Sequence, residues 1–195
     1  IQRIDLSSDK PFLESFAEGV RNSVGFAWHP ETKELWFTDN GRDLMGDEIP
    51  PGELNHAPTP GNHYGYPFFH AHDIRDPEFG DGKKADDYVR PALDLDPHVA
   101  PLGMMFYTGS QFPDKYSNQI LIAEHGSWNR TEEAGHVGYR ITMVREQENG
   151  KLIYETMIDG WLQDNKAWGR PVDILQLPDG SLLISDDHGN VIYRL

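Results

Sequence analysis

Arg21 and Asn22 stand side by side in GVRNSVG (19–25), immediately ahead of an apolar run. An arginine offers a planar fork of donors suited to a carboxylate or quinone oxygen, and an asparagine adds one donor group and one acceptor. The same pair also suits a structural turn in which asparagine caps the backbone, so the dipeptide leaves both readings open. Farther along, TDNGRDLMGDEIPPGELN (38–55) gathers Asp39, Asp43, Asp47, Glu48 and Glu53, with Gly41 able to turn the backbone so that successive carbonyls face one way. Hard cations such as Ca²⁺ take oxygens from carboxylates, carbonyls and water. The spacing is not that of an EF-hand, and a solvated acidic loop is the plain alternative.

Histidines cluster in GNHYGYPFFHAHD (61–73). On a strand His70 and His72 share one face, which makes a metal site conceivable. No third ligand follows at a recognisable spacing, which favours an aromatic turn packed beneath the sheets. EHGSWNR (124–130) and AWGRPVD (167–173) add His125, Trp128, Arg130 and Arg170 on two further loops. Each loop alone is a weak signal. Three loops at equivalent places in a repeat, each offering arginine or histidine toward a common axis, make a polar funnel suited to a flat anionic ligand.

The repeat that would position those loops is visible in WHPETKELWFTDNG (28–41), QFPDKYSNQILIAEHG (111–126) and QLPDGSLLISDDHG (176–189). Each runs from a Pro-containing polar turn into a short strand of large apolar residues and stops at an acidic residue, Asp39, Glu124 or Asp186, with glycine close behind. Repeated strand–turn–strand units predict radial or stacked β architecture. The stops are spaced unevenly and more widely than a period of about 40–50 residues, so the units carry insertions. GFAWHP, GMMFYTG and DILQLP read as innermost strands, and YRITMVRE (139–146) and VIYRL (191–195) as third strands, which IQRIDL at the start of the chain resembles. The expected fold is a single all-β domain over residues 1–195, a partial β-propeller of four-stranded antiparallel blades. The chain is expected to begin in the second half of one blade, cross two whole blades and end three strands into another, about three blades where closed propellers have roughly four to eight.

Composition agrees. Glycine (19) and proline (14) punctuate the chain at turns, and few windows show sustained helical periodicity. The net charge of −15 argues against nucleic acid or an anionic membrane as partner and is compatible with cation binding. Cysteine is absent, which excludes disulfides, Cys-ligated zinc and thiol nucleophiles. There is no apolar run of membrane-spanning length.

The ordered series GVRNSVGFAWHPETKELWFTDNGRD, PPGELN, GNHYGYP, APLGMMFYTG, AEHGSWNR and WGRPVDILQLPDGSLLISDD resembles the glucose/sorbosone dehydrogenase family, in particular its sorbosone dehydrogenase-like branch, over nearly the whole chain. The resemblance implies a six-bladed propeller that binds pyrroloquinoline quinone (PQQ) and Ca²⁺ over its axis and oxidises sugars, polyols or aldehydes, in the periplasm or outside the cell. By position it implies that Arg21 and Asn22 hold the quinone oxygens and act in catalysis. It implies further that Asn40 belongs to the cofactor loop, that the carbonyls of Gly41 and Arg42 ligate Ca²⁺, and that Arg170 pairs with a PQQ carboxylate. His125 or Arg130 falls where relatives use a lysine. Arg42 departs from the proline found in the soluble glucose dehydrogenases, a change that a carbonyl ligand tolerates. The family's general-base histidine lies well upstream of the Arg-Asn pair, and no histidine here matches it.

Two readings follow. In one the chain is the C-terminal half of a PQQ-dependent sugar dehydrogenase, with a small sugar or polyol as substrate and the N-terminal half of the propeller as partner. In the other it is a non-catalytic binding or structural module that closes its ring as a homodimer, because open sheet edges and apolar faces do not persist in water.

Overall fold

The computed structural model describes residues 1–7, 9–147 and 149–195. Among the described residues, four antiparallel sheets with strands of three or more residues follow one another along the chain. The first pairs Gln2–Asp5 with Phe12–Ser15. The second runs, from inner to outer strand, Phe26–Trp28, Leu35–Asp39, Pro51–Ala57 and Leu93–Pro97. The third runs Pro101–Phe106, Ile120–Glu124, Arg140–Glu146 and Leu152–Ile158. The fourth has three strands, Pro171–Gln176, Leu182–Asp186 and Val191–Arg194. This is the expected order of half a blade, two whole blades and three further strands, with the inner and third strands where the sequence places them. Apart from two 3-10 turns at Ala85–Asp87 and Asp114–Tyr116, the described structure is β. No described helix is long and apolar enough to cross a membrane.

Period-2 alternation explains how the sheets stack. Successive residues of a strand face opposite ways, and here both faces of the second strands are covered. Leu35 and Phe37 join Phe16, Ala57 and Tyr64 between the first and second sheets, whereas Trp36 packs toward the next seam. In the third sheet Ile120 and Ile122, with Met104 beside them, face back onto Leu54 and Leu95, and Leu121 and Ala123 face forward onto Ile174, Leu182 and Ile184. The apolar core is thus three seams rather than one centre, which is why these strands read as nearly continuous apolar runs.

The inner strands converge closely. A Cβ at Gly103 would lie 2.0 Å from Asp173 Oδ1 and 2.7 Å from its Cα, so only glycine fits where the third and fourth inner strands meet. Polar pegs cross the same seams: Thr38 Oγ1 donates to Leu102 O at 2.8 Å, and Tyr107 OH donates to Gly180 O at 2.9 Å.

The largest departure from a plain blade is the insertion at residues 58–92, between the third and fourth strands of the second sheet. Asn62–His63 pairs in parallel with Ala17–Glu18, and Phe69–His70 pairs with Ile74–Arg75. Residues 58–92 therefore fold back over the chain segment leaving the first sheet.

Candidate functional site

Two of the acidic stops, Asp39 and Asp186, hold the loops that precede the inner strands. Asp39, buried at the end of its strand, accepts from the backbone N–H groups of Arg21 (2.8 Å) and Asn22 (2.7 Å) and from Ser23 Oγ (3.0 Å). Burial pushes its carboxyl up against the pull of those donors. Asp186 repeats the arrangement two sheets farther on, accepting from the N–H groups of Arg170 (2.9 Å), His188 (3.0 Å) and Gly189 (2.7 Å) and from Tyr193 OH (2.8 Å). There burial acts upward, but the donors outweigh it and the carboxyl sits below its ordinary range. Arg21 and Arg170 therefore occupy equivalent positions, fixed by main-chain capping.

Their side chains diverge. Arg21 lines a cavity of about 240 Å³ at the seam of the second and third sheets, together with Asn22, Asn40, Gly41, Asp43, His98, Trp128 and Asn129. Its guanidinium donates to Asp43 Oδ2 (2.9 Å) and to Asn40 O (3.3 Å), and Asn129 Nδ2 donates to the other oxygen of Asp43 at 3.1 Å. Asn40 ties the two sheets together, its Nδ2 donating to Asn22 O (3.0 Å) and Pro101 O (3.2 Å). The Asn22 carboxamide has no hydrogen-bond partner among the described residues and is exposed. Gly41 fills a cradle with no room for a side chain, since a Cβ there would lie 2.8 Å from Pro50 Cγ and 2.9 Å from Pro51 O. Trp128, 66% exposed, stands at the rim.

The other expected site residues lie elsewhere. Arg170 does not line this cavity; its Nε donates to His125 O (3.0 Å), its Nη2 to Gly126 O (2.6 Å), and the guanidinium covers the Tyr139 ring. His125 turns to Asp187, with Nε2 2.8 Å from Oδ1. These two form a separate polar cluster between the third and fourth sheets. Arg130, its side chain only 6% exposed, staples two loops across the second seam, donating to Gly135 O (2.7 Å), Glu48 (3.0 Å), Ala134 O and Asp47 O. Arg42 sends its guanidinium into the insertion, to Asp76 and Glu78. His70 and His72 do not converge on a metal; His70 pairs with Asp76 and His72 with Asp94. No group of three or more His, Asp or Glu that could hold a metal ion occurs among the described residues. Sequence reasoning named Asp43 only within the acidic loop and did not single out His98 or Asn129.

Behind the cavity lies a row of carboxylates. Asp39, Glu53 and Asp94 are direct cross-strand partners in the second sheet. Burial, with Asp39 and Asp94 beside it, raises the Glu53 carboxyl to about 7, although Asn55 Nδ2 (3.0 Å) and Ala71 N (2.7 Å) donate to it.

Radially stacked antiparallel sheets that leave a donor-lined cavity between their inner ends define a β-propeller, of which this chain forms part. The sequence model of the family described as Glucose / Sorbosone dehydrogenase matches residues 5–160, and the chain belongs to that family. An uncharacterised protein of Borreliella burgdorferi is 42% identical over 100% of this chain and 51% of its own length. Among solved structures, that of a Trichoderma reesei carbohydrate-active enzyme of family AA12 aligns with TM-score 0.75 at 22% identity, covering 91% of this chain and 53% of that one. The holo PQQ domain of a pyranose dehydrogenase from Coprinopsis cinerea aligns with TM-score 0.65 at 19% identity, covering 96% and 56%. The chain thus spans about half the length of the relatives it matches.

Proposed function

We propose that the chain is the C-terminal half of a PQQ-dependent sugar or aldose dehydrogenase of the periplasm or cell exterior, and that its cavity at the second seam holds PQQ and Ca²⁺. One observation carries this reading: Arg21, Asn22, Asn40 and Gly41, the positions that the family resemblance selects around the Arg-Asn pair, line a single cavity. The donor set suits an oxygen-rich ligand. Arg21 presents N–H groups, the Asn22 carboxamide is uncommitted, and Trp128 offers a flat apolar face at the rim. No cluster of acidic or histidine side chains among the described residues forms a cation cage, and the carbonyls of Gly41 and Arg42 are the ligands that the family resemblance assigns to a hard cation. When bound, PQQ and Ca²⁺ supply a hydride acceptor polarised by a Lewis acid.

In this reading Arg21 and Asn22 bind the acceptor oxygens and stabilise charge that develops on them. Arg21 reaches them only by exchanging its ion pair with Asp43, so Asp43 sets a cost on loading. No residue of this chain is assigned the proton-accepting role; that role and the choice of sugar or polyol belong to the whole protein. Replacing Arg21 by alanine is expected to weaken PQQ binding by about 1.5–3 kcal/mol, the range for a lost charged hydrogen bond. Fluorescence titration of PQQ in the presence of Ca²⁺ measures it, and equal affinities for the variant and the parent would refute the assignment.

A second reading, a self-associating module, draws on a different observation. Apolar side chains stay exposed at both ends of the sheet series: Phe12, Leu13, Phe26 and Trp28 at one, Leu175, Val191 and Ile192 at the other. We propose that further blades cover these faces, from the N-terminal half of the propeller or, for the chain alone, from a second copy in a closed two-fold pair. Light scattering on the isolated chain at micromolar concentration is expected to report a dimer. A folded monomer under those conditions would end the self-closure idea.

A further inference from the structure

We propose that Asp76 is a positioning residue for the loop at 40–42, so that the insertion at residues 58–92 sets the cation affinity of the Gly41 and Arg42 carbonyls; this rests on the reading of that loop given above.

The argument begins with where Arg42 points. Gly41 and Asp43, on either side of it, both line the cavity, but the Arg42 side chain leaves it. Its Nη1 donates to Asp76 Oδ2 at 2.7 Å, its Nη2 to Glu78 Oε2 at 3.2 Å, and the guanidinium lies 6.0 Å from the centre of the Phe79 ring. The socket exists without Arg42. Asp76, its side chain 0% exposed, accepts from the backbone N–H groups of Glu78 (2.8 Å) and Phe79 (2.9 Å) on one oxygen, and its other oxygen lies 2.8 Å from His70 Nε2. His70 and Asp76 are therefore set by the insertion's own turns, and Arg42 docks into a site already built.

The remaining restraints on the loop come from the sheets. Asn40 N donates to Asn22 O at 3.1 Å, and Gly41 rests against Pro50 and Pro51. At residue 42 the side-chain hold comes from the insertion. A carbonyl ligand cannot re-aim by changing a side-chain rotamer, so its position follows the backbone, and Ca²⁺–oxygen distances fall in a narrow range of about 2.3–2.6 Å. Groups that orient the ligands of a metal without touching it typically account for about 10–100-fold in affinity.

Calorimetric titration of Ca²⁺ into the full chain, with and without saturating PQQ, tests this. Arg42→Ala keeps the backbone carbonyl and removes the dock, and is expected to raise the Ca²⁺ Kd about 10–100-fold. Arg42→Lys should recover part of the loss, Asp76→Asn should match Arg42→Ala, and Arg90→Ala, which removes an unrelated ion pair of the insertion with Asp86, should leave Kd unchanged. Urea midpoints taken in parallel separate a positioning effect from unfolding; if Asp76→Asn does not fold, Arg42→Ala decides alone. A parent chain that binds no Ca²⁺ would sink the cation-site reading and this inference with it. A parent that binds Ca²⁺ beside an Arg42→Ala variant that binds it equally well would overturn this inference and leave the cation site standing.

Discussion

Replacing Arg140 by alanine should lower folding stability by about 3–5 kcal/mol, the cost of leaving a buried charge without its partner. Glu124, with a fully buried side chain at the end of the second strand of the third sheet, accepts from Arg140 Nε at 2.7 Å, from Thr142 Oγ1 at 3.0 Å and from Tyr154 OH. Burial pushes the Glu124 carboxyl up, and the guanidinium pulls it back. Arg140 also donates to Asp96 at 2.6 Å and so reaches into the neighbouring sheet. Urea unfolding of the single variants and of Glu124→Gln/Arg140→Met measures the coupling. The double variant is expected to recover much of the loss, since a neutral pair needs no counter-charge. If Arg140→Ala unfolds at the parent's midpoint, the pair contributes nothing and the account of this network is wrong.

Glu53→Gln is expected to do the opposite and stabilise the protein, by up to roughly 3 kcal/mol above neutral pH. The folded state raises the Glu53 carboxyl to about 7, above its unfolded value. Between those two values the folded chain holds a proton that the unfolded chain has released, so stability falls as pH rises through that window, and above it the full penalty applies. Glutamine keeps one acceptor oxygen, for Ala71 N, turns its NH2 toward the Asn55 carboxamide, whose Oδ1 is buried without a partner, and carries no charge beside Asp39 and Asp94. Stability curves for parent and variant should meet near pH 4 and separate by pH 8. Curves that run parallel across that range would show that Glu53 ionises in the folded protein without cost.

The architecture was legible because the strands alternate between two seams and because an acidic residue closes each second strand. At Asp39 and Asp186 that acid proved to be a cap for the loop ahead of the inner strand, so the mark that exposed the repeat also fixed Arg21 and Arg170 in equivalent places, whereas Glu124 turns to Arg140, Thr142 and Tyr154. Their chemistry was not legible. Capping sets where an arginine leaves the backbone, but its guanidinium is claimed by whichever loop comes within reach: Asp43 of its own sheet for Arg21, and the carbonyls of His125 and Gly126 of the preceding sheet for Arg170. No period in the sequence encodes that choice. The insertion was opaque for a related reason. His70 and His72 share a pattern that suits a metal, yet each found a carboxylate brought in by a turn or by a strand beyond the insertion.

The cavity lies across a joint. Arg21 and Asn22 approach it from the second sheet, and Trp128 and Asn129 from the third. Whatever occupies it acts as a rivet between two layers held mainly by apolar contact and a few polar pegs, and its binding energy adds to the adhesion of that joint. The joint between the third and fourth sheets has its own fastening, Tyr107 on Gly180 and Arg170 on His125 and Gly126, and draws no direct contact from the occupant. Occupancy would therefore change the order in which the layers come apart, and a loaded molecule would be expected to lose its C-terminal sheet before its middle two part.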